Sequence, residues 1–315
     1  MHNSNVNGLL AAIQNLVQVD VGQRGLAHHP TDNLFTATQG DFVAACQSVA
    51  CNESPCLLIV TGFFIPTATP PACETDGPLG SLFLARACQA LGIPWHLASP
   101  HCGITALQTG LQQASLPLQP LRTLPVDNNP GTYRDFYAAL VPAPSHVVFI
   151  EYPGPNAEGR CLTMRGKDIT EHTPPAHHLL PMAKSLSRSG QPPASIGIGD
   201  GGNEIGMGRI AAATIAANIP FGSRIHCTVI TDHLIVAGVS NWGAYALAAG
   251  LFLVQGRLPP ADLFDPVTEQ RLLTAMVEAG PLVDGVTGRQ SATVDGLSWE
   301  RYVEPLQRMR EICRW

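Results

Sequence analysis

The sequence predicts an α/β protein with a doubly wound, mostly parallel sheet and helices on both faces, a Rossmann-like three-layer arrangement. Short apolar runs of strand length alternate along the chain with longer segments whose apolar residues recur at helical spacing. This alternation of strands and helices is typical of parallel βαβ units. The chain has 315 residues, of which 45% are hydrophobic, so it can bury a sizeable core. We therefore expect one domain over residues 1–315.

Six runs bounded by Gly, Pro or polar residues are predicted as strands. They are "LLIV" (57–60), "PWHLAS" (94–99), a weaker run near Leu118 to Leu121, "HVVFIE" (146–151), "ASIGIG" (194–199) and "IHCTVIT" (225–231). Five segments of helical length and apolar spacing separate or follow these strands. They are "GSLFLARACQALG", "ITALQTGLQQA", "YRDFYAALV", "RIAAATIAAN" and "WGAYALAAGLFLVQ".

The two ends of the chain are predicted to add helices to this sheet. Residues 1–55 contain "LLAAIQNLVQV" and "DFVAACQSVAC", which we expect to pack on the sheet as helices. Residues 256–315 contain "PVTEQRLLTAMVEAG", a predicted helix with Pro near its start and Gly at its end. The tail that follows is rich in Asp-Gly, and there we expect two turns flanking a short hairpin, "TGRQSATV".

Charge and hydropathy limit the partners of the chain. It has 18 basic and 24 acidic residues, so it has no basic field to hold a polyanion, and we expect no nucleic-acid partner. The longest apolar run, "GAYALAAGLFLV", is too short to cross a bilayer. The start lacks a basic region followed by an apolar block, which predicts no signal peptide. We therefore expect a cytoplasmic protein without a membrane partner, with a homo-oligomer left open.

The cysteines and histidines do not form a recognisable ligand pattern. The nine cysteines are dispersed and contain no C-x-x-C, which favours buried free thiols over a zinc site or a disulfide framework. The eleven histidines are equally dispersed and contain no H-E-x-x-H. Two pairs are adjacent in sequence, His28-His29 and His177-His178, and adjacent side chains point apart in a helix or a strand.

Polar residues follow most of the predicted strands at the point where each strand ends. In an open parallel sheet, ligands bind outside the carboxyl ends of the strands. The residues that follow the strands are Thr61-Gly62, a loop ending in "ETDGPLG" (Glu74 to Gly80), His101, Glu151, Asp200 to Glu204, and Asp232. We expect these side chains to converge at one edge of the sheet and to form a binding site there.

Each of these residues also has a local structural interpretation. Asp76-Gly77 and Asp200-Gly201 can form turns in which the Asp side chain bonds to the backbone. Asp232 can be a helix N-cap, as can Ser240 or Asn241 ahead of "WGAYALAAG". Turns and caps do not require the glutamates of the set, however, so the binding site remains the better interpretation of the whole.

The stretch "GIGDGGNEIGMG" (197–208) contains the letters G-x-G-x-x-G of a dinucleotide-binding turn. Such a turn brings a pyrophosphate to a helix N-terminus. Asp200 lies inside the pattern and Glu204 just after it, so the loop would present carboxylates to a phosphate. We therefore prefer a pocket for a small polar ligand, in which the glycines make room for the ligand.

Five long motifs together resemble the C-terminal domain of the D-glutamate cyclase family. They are "TGFFIP...ETDGPLG" (61–80), "IEYPGPNAEGRCLTMRGKDI" (150–169), "GIGDGGNEIGMG" (197–208), "AGVSNWGAYAL" (237–247) and "DGVTGRQSATVDGL" (284–297). The resemblance covers most of the chain and implies a hydro-lyase, which closes D-glutamate, or a related acidic amino acid, to 5-oxo-D-proline or its analogue with loss of water.

This reaction needs a base for the α-ammonium, neutralisation of the γ-carboxylate and a way for oxygen to leave as water. The catalytic candidates are the carboxylates Asp76, Glu151, Asp200 and Glu204. Arg165 can clamp one substrate carboxylate, with an ion pair to Asp168 as the alternative. The other expected substrate contacts are Thr61, Gly62, Thr75, Gly201, Gly202, Asn203, Asn241, Asp284 and Thr287. Backbone N–H groups of the 199–206 loop are a further candidate for holding a carboxylate.

The density of carboxylates also suggests a divalent metal, Mg²⁺ or Mn²⁺. The candidate ligands offer hard oxygen atoms, and they are Glu74, Asp76, Asp200, Asn203 and Asp232, with Glu204 nearby. Two other functions stay open at this point. One is a Rossmann-type nucleotide-binding oxidoreductase or sensor, and the other is a domain that binds a small ligand without catalysis.

Overall fold

A computed structural model describes residues 2–186 and 192–313, with the side chains of residues 2–4 not described. Its centre is a six-stranded, all-parallel sheet with strand order β5-β4-β1-β6-β7-β8. The strands are β1 (Leu57–Thr61), β4 (Trp95–Ser99), β5 (Leu121–Thr123), β6 (His146–Ile150), β7 (Ala194–Gly199) and β8 (His233–Val236). A second sheet of three short strands lies beside it, formed by β2 (Phe64–Ile65), β3 (Ala72–Glu74) and β9 (Leu282–Val283).

Helices cover both faces of the six-stranded sheet. They are α1 (His2–Val17), α2 (Leu34–Ala37), α3 (Asp41–Ala50), α4 (Pro78–Leu91), α5 (His101–Gln113), α6 (Pro130–Ala138), α7 (Leu179–Ser185), α8 (Ala212–Asn218), α9 (Gly222–Ile225), α10 (Ser240–Val254), α11 (Pro266–Ala279) and α12 (Trp299–Ile312). Two 3₁₀ turns precede α7, at Thr170–His172 and Ala176–His178. The predicted doubly wound α/β class is confirmed.

Alternate side chains of the strands enter different layers of the core. In β1, Leu57 and Ile59 pack with α4 and α10, whereas Leu58 and Val60 pack with α6 and α7 on the other face. Because both faces are covered, the strands are almost continuously apolar, as the runs in the sequence indicate. Helix α10 is buried along nearly its whole length and lies against α1, α3 and α4. No helix in the part of the chain that the structure describes is long and apolar enough to cross a membrane.

Three details of the predicted elements are wrong. The run 225–231 is not a strand, since the last strand of the sheet begins at His233. The predicted hairpin over 287–294 is a series of turns and bends arranged around the buried Asp284. Neither Ser240 nor Asn241 is an N-cap, because α10 begins at Ser240 with Val239 as its N-cap. Helix α12 was not predicted at all.

The expectation of free thiols is wrong for one pair of cysteines. Cys73 of β3 and Cys102 of α5 form a disulfide across 29 positions of sequence. The other seven cysteines are free, and six of them are buried. The fold brings the two sulfurs together, and their spacing in the sequence carries no sign of this.

Candidate active site

The candidate site lies at the point where the strand order of the large sheet reverses. The chain runs from β1 outward through β4 to β5, then returns to the other side of β1 with β6 and continues outward to β8. The carboxyl ends of β1 and β6 therefore border the crevice at which open α/β sheets bind ligands. Thr61 ends β1, Glu151 follows β6, and Asp200 follows β7 next to it.

Six carboxylates and one guanidinium gather at this crevice. Each carboxylate residue is at most 9% exposed, although carboxylates are rarely buried in proteins unless they are paired. We call this set the acidic cluster; its members are Glu74, Asp76, Glu151, Asp200, Glu204, Asp295 and Arg24. Five of the six acids were predicted for this edge of the sheet, whereas Asp295 was interpreted as a turn and Arg24 was not identified.

Asp76 and Asn241 cap the first turns of two helices in a reciprocal manner. The Asp76 carboxylate accepts hydrogen bonds from the backbone N–H groups of Ser240 (2.9 Å) and Asn241 (2.8 Å) at the start of α10. The Asn241 side-chain oxygen accepts from the N–H groups of Gly77 (2.8 Å) and Gly80 (2.7 Å) at the start of α4. Both helix N-termini thus meet at the acidic cluster, and their partial positive charge favours carboxylates there.

Glu151 is held at the end of β6 in a strained backbone conformation. Its φ of 45° lies in the left-handed region, which is uncommon for residues other than Gly and costs of order 1–3 kcal/mol. The Ser240 hydroxyl donates a hydrogen bond of 2.6 Å to its carboxylate. Nearby, the buried Thr61 hydroxyl has no hydrogen-bond partner among the described residues. Strain and an unpaired buried hydroxyl are typical of functional sites.

The glycine-rich loop after β7 is built around its own glutamate. The Glu204 carboxylate accepts hydrogen bonds from the N–H groups of Asp200 (2.8 Å) and Gly202 (2.7 Å). A Cβ atom at Gly199 would meet this carboxyl group at 2.8 Å, and one at Gly201 would meet it at 3.0 Å. At these two positions the absence of a Cβ makes room for the Glu204 carboxyl group. Glu204 holds the loop that presents Asp200.

The same loop does not have the geometry of a dinucleotide-binding turn. No helix begins at its third glycine, Gly202, and the next helix, α8, begins only at Ala212. Several N–H groups of the loop that were candidates for binding a substrate carboxylate are already engaged. Those of Asp200 and Gly202 bond Glu204, and that of Gly206 bonds a backbone carbonyl at 3.0 Å. The phosphate-binding interpretation therefore has no helix N-terminus to support it.

Arg24 enters the acidic cluster from the loop that follows α1. One of its terminal nitrogens contacts Asp200, and the other lies 2.7 Å from Asp295. The backbone of this loop is fixed by Asp20, whose carboxylate accepts the N–H groups of Arg24 (2.9 Å), Gly25 (2.8 Å) and Leu26 (3.0 Å). Nothing in the local sequence around Arg24 marks it as a site residue, because it reaches the site only through the tertiary fold.

The electrostatics of the cluster are those of buried acids next to one cation. Burial raises the pKa of Asp200 to about 6, although Arg24 acts in the opposite direction. Burial likewise raises the pKa of Asp295 to about 7. Burial and the neighbouring carboxylates raise the pKa of Glu74, Asp76 and Glu151 well above the usual range. The cluster therefore offers both protonated and ionised carboxyl groups near neutral pH, the condition for acid and base catalysis at one site.

Three of these carboxylates are arranged so that they can share a cation. One oxygen each of Asp76, Glu151 and Asp200 lies within 4.8 Å of the other two. Oxygen donors of this kind suit Mg²⁺ or Mn²⁺. Asn203 lies in the same loop, and its buried side-chain oxygen is unpartnered among the described residues. The Asp232 carboxylate, in contrast, accepts from the N–H (2.8 Å) and hydroxyl (2.7 Å) of Ser195 near the amino end of β7.

Asp232 was expected at the carboxyl edge because the preceding run was taken as a strand. The strand follows Asp232 instead of preceding it, so Asp232 lies at the opposite edge of the sheet and is not a ligand candidate. Gly62 is where it was expected, with a φ of 127° and close to Pro100 and Ser99. The Thr75 hydroxyl donates to the carbonyl of Thr293 at 2.7 Å, which joins the Asp76 segment to the C-terminal turns.

The three remaining predicted contacts have structural partners outside the acidic cluster. Arg165 is exposed, its guanidinium lies 3.4 Å from the carbonyl of Val286, and it forms no ion pair with Asp168. The buried Asp284 carboxylate accepts four hydrogen bonds, from the N–H groups of Val286, Thr287 and Gly296 and from the hydroxyl of Thr293. Thr287 is exposed. These contacts make Asp284 the organiser of the turn that carries Asp295.

A series of buried polar side chains connects Asn241, beside the cluster, to the helices packed behind it. The Asn241 side-chain amide donates to the hydroxyl of Tyr302 at 3.0 Å, which lies 2.8 Å from the hydroxyl of Tyr245. The Tyr245 hydroxyl lies 3.3 Å from Glu269, and Glu269 pairs with the buried Arg86. Helices α4, α10, α11 and α12 are thereby joined to Asn241, the residue that caps α4 beside Asp76.

Comparisons with known proteins agree with this architecture. A family model described as "D-glutamate cyclase-like, C-terminal" matches residues 13–310. The human protein named "D-glutamate cyclase, mitochondrial" is 28% identical over 333 aligned positions, which cover 95% of this chain and 51% of the human protein. This chain thus spans about half the length of that relative. Since the model matches nearly the whole sequence, the chain belongs to the D-glutamate cyclase-like, C-terminal family.

Proposed function

We propose that this protein is a carbon–oxygen lyase that cyclises D-glutamate, or a closely related acidic amino acid, to 5-oxo-D-proline with loss of water. The family and the name of the human relative support this reaction. The single structural observation that carries it is the convergence of Asp76, Glu151 and Asp200 at the switch point of the sheet. An acid, a base and two helix N-termini at one point match what a dehydrating ring closure needs.

In the proposed reaction, the α-amine attacks the γ-carboxyl carbon of the same molecule. Asp200 accepts a proton from the α-ammonium, because its pKa of about 6 leaves it largely ionised but still basic near neutral pH. Glu151, whose pKa is raised well above the usual range, donates one proton to the departing oxygen. The second proton of the departing water is the one that the nitrogen of the tetrahedral intermediate loses as the amide forms. Transfer of a proton from Asp200 to Glu151 then restores both carboxyl groups. The buried site holds the chain of the substrate in a folded, reactive conformation, which can supply several kcal/mol of the activation barrier.

We propose as an alternative arrangement of the same site that the ionised carboxylates of Asp76, Glu151 and Asp200 hold Mg²⁺ or Mn²⁺, with the oxygen of Asn203 beside them, in which case the metal takes the place of the proton on Glu151. The metal would neutralise the negative charge on the substrate carboxyl group. Exhaustive chelation is then expected to lower both the activity and the melting temperature, and added Mn²⁺ to restore both. If chelation changes neither, the metal is not part of the site.

The reaction is tested by incubating the protein with D-glutamate and following the loss of primary amine together with the appearance of 5-oxo-D-proline. We expect turnover with D-glutamate, and a rate lower by about 10²- to 10⁴-fold with Asp200→Asn, since an amide cannot accept the proton. The same substitution at the exposed Asp262 is the control, and it is expected to leave the rate unchanged.

The two competing functions predict different ligand profiles in a thermal-shift screen. A nucleotide-binding oxidoreductase or sensor would be stabilised by NAD, NADP or ATP, whereas the proposed lyase is stabilised by D-glutamate or 5-oxo-D-proline. A protein that is stabilised by D-glutamate but consumes no acidic amino acid would be a binding domain without catalysis. Stabilisation by nucleotides alone would exclude the proposed function.

A further inference from the structure

Arg24 is the one cationic side chain that is ion-paired with the acidic cluster among the residues that the structure describes. A substrate with two carboxylates that enters a site of six buried acids meets strong repulsion unless a cation faces it. Arg165, the arginine expected for this task, lies on the surface with its guanidinium at a backbone carbonyl. Arg24 is therefore the arginine in position to bind an acidic ligand in this site.

The contacts of Arg24 leave it capable of exchanging partners. Its two terminal nitrogens are shared between two carboxylates, Asp200 and Asp295, so neither acid receives the paired hydrogen bonds that a guanidinium gives to one carboxylate. The second oxygen of Asp295 has no hydrogen-bond partner among the described residues. A carboxylate of the ligand can replace the contact between Arg24 and Asp200, while Asp295 keeps its contact with the other terminal nitrogen.

The Arg24 side chain lies at the edge of this ion-paired group. It is 16% exposed, compared with 4% for Asp200 and 3% for Asp295, although its Nη1 atom, which contacts Asp200, is buried. Its backbone is fixed by the three hydrogen bonds to Asp20. Leu26 next to it is fully buried, and Gly25 lies against the carbonyl of Asn218. The loop therefore holds the backbone of Arg24 in place beside the acidic cluster.

We propose that Arg24 binds the non-reacting α-carboxylate of the substrate and thereby selects acidic amino acids that carry this group. This inference rests on the proposed function, which defines the α-carboxylate as the group that takes no part in ring closure. The γ-carboxyl group is left for the acids at Glu151 and Asp200. Asp295 stays with Arg24 and keeps the guanidinium oriented.

The test compares D-glutamate with its α-amide, which keeps the amine and the γ-carboxyl group and can still form the lactam with loss of water. The wild-type protein is expected to prefer D-glutamate in kcat/KM by about 10- to 100-fold, the worth of one charge-assisted pair. Arg24→Gln is expected to lower kcat/KM for D-glutamate by a similar factor and for the α-amide only slightly, so that the preference disappears. Arg24→Lys keeps the charge without the planar fork and is expected to give an intermediate preference.

Two results would overturn the role of Arg24. One is an equal loss for both substrates in Arg24→Gln and Arg24→Lys, because a residue that only maintains the fold does not distinguish them. The other is a loss of preference in Arg165→Gln in place of the Arg24 variants. Arg308→Gln, at an exposed pair with Glu311, is the matched control and should behave like wild type. If Arg24→Gln does not fold, as judged by its melting curve, Arg24→Lys alone decides.

The failure of the proposed function would give a different result. In that case wild type turns over neither compound, and calorimetric titration with D-glutamate and the α-amide replaces the kinetic comparison. A preference for D-glutamate that Arg24→Lys reduces would retain Arg24 as a carboxylate-binding residue without the lyase activity. Binding of both compounds with equal affinity would exclude it.

Discussion

Single side chains of the acidic cluster have different tasks, although they look alike in the sequence. Both oxygens of Glu204 accept backbone N–H groups of its own loop, and the oxygens of Asp284, outside the cluster, likewise accept N–H groups of the C-terminal turn. Asp200 and Glu151 instead face other carboxylates: burial and then Asp200 raise the pKa of Glu151, and burial and Glu204 raise the pKa of Asp200. The donors to Glu204 and to Asp284 lie in the loop or turn that each acid holds, so these two carboxylates have a structural role.

The pH dependence of the reaction follows from Asp200. Only the ionised carboxylate can accept the proton of the substrate, so kcat/KM is expected to rise with pH and to level off above about 6, the raised pKa of this group. Asp200→Asn is expected to lower kcat by about 10²- to 10⁴-fold, the usual contribution of a general base. Steady-state rates between pH 4.5 and 8.5 measure both effects. A profile that is flat across this range would assign the base to another group.

Asp284 gives a prediction about stability. Asp284→Ala would leave three N–H groups and one hydroxyl without their acceptor, and we expect a loss of about 3 kcal/mol in the free energy of unfolding. Asp284→Asn keeps one acceptor oxygen and should lose less. Urea denaturation of the two variants measures the difference. Equal stabilities would mean that the turn holds without this carboxylate.

Secondary structure accounts for why the cluster can exist at all. Helices α4 and α10 begin side by side. Asp76, which precedes α4, caps α10, and Asn241, in the first turn of α10, caps α4. The caps satisfy N–H groups that would otherwise lack partners, and the helix dipoles offset part of the cost of burying acids. The polar chain through Tyr302, Tyr245 and Glu269 fixes the side-chain amide of Asn241 from the opposite side.

The reciprocal caps predict that Asn241 matters for both stability and activity. Asn241→Ala removes the acceptor of two N–H groups and the donor to Tyr302, and we expect a loss of about 2 kcal/mol in unfolding free energy together with a fall in kcat. Asn129 caps the distant helix α6 through one hydrogen bond to Gly131, so Asn129→Ala should cost about 1 kcal/mol and leave kcat unchanged. A loss of stability in Asn241→Ala without any change in kcat would make the cap structural only.

The helices and strands of the core could be predicted because burial on both faces leaves a strong apolar pattern. Four of the predicted strands, β1, β4, β6 and β7, are apolar runs of this kind. The fifth, β5, is only partly buried and shares Leu121 alone with the weaker run predicted near 118–121. The run 225–231 has the same apolar composition but is not part of the sheet. The carbonyl of Val229 accepts the N–H groups of Gly206 and Gly208 in the glycine-rich loop instead, and the apolar pattern does not indicate this pairing. Helix α12 is amphipathic and carries many charged residues and Pro305 within it, so its apolar spacing was not recognised.

The site was partly predictable for a related reason. Residues directly after a strand are placed by the sheet itself, which located Asp200 and Glu151 from the sequence alone. Arg24 and Asp295 are placed by loops packed across the molecule, and no local pattern carries that information. The prediction for Asp232 is wrong because the sequence predicts a strand that ends before Asp232, whereas the strand begins after it, at His233.

For the whole chain, histidines with a lowered pKa and aspartates with a raised pKa together determine how the free energy of unfolding depends on pH. Burial lowers the pKa of His146 and His177 to about 4, so the folded state binds fewer protons than the unfolded chain between pH 4 and about 6.5. These histidines make the protein more stable as the pH rises through that interval. Asp200 and Asp295, with raised pKa values, act in the opposite direction. The total pH dependence is a sum of opposing contributions, so a single curve does not identify any of them.

A difference between two curves isolates Asp295. Its pKa rises from about 3.9 in an unfolded chain to about 7, so between these values the folded state binds the additional proton and this contribution to stability is lost as the pH increases. The unfolding free energy of wild type minus that of Asp295→Asn is therefore expected to fall by up to about 1.4 kcal/mol per pH unit between pH 5 and 7. Above pH 8 the difference becomes constant, because the group is ionised in both states. Asp262→Asn, with a side chain 72% exposed, should give a difference without this slope. A difference for Asp295→Asn that rises with pH would show that the ion pair with Arg24 outweighs burial and keeps Asp295 ionised.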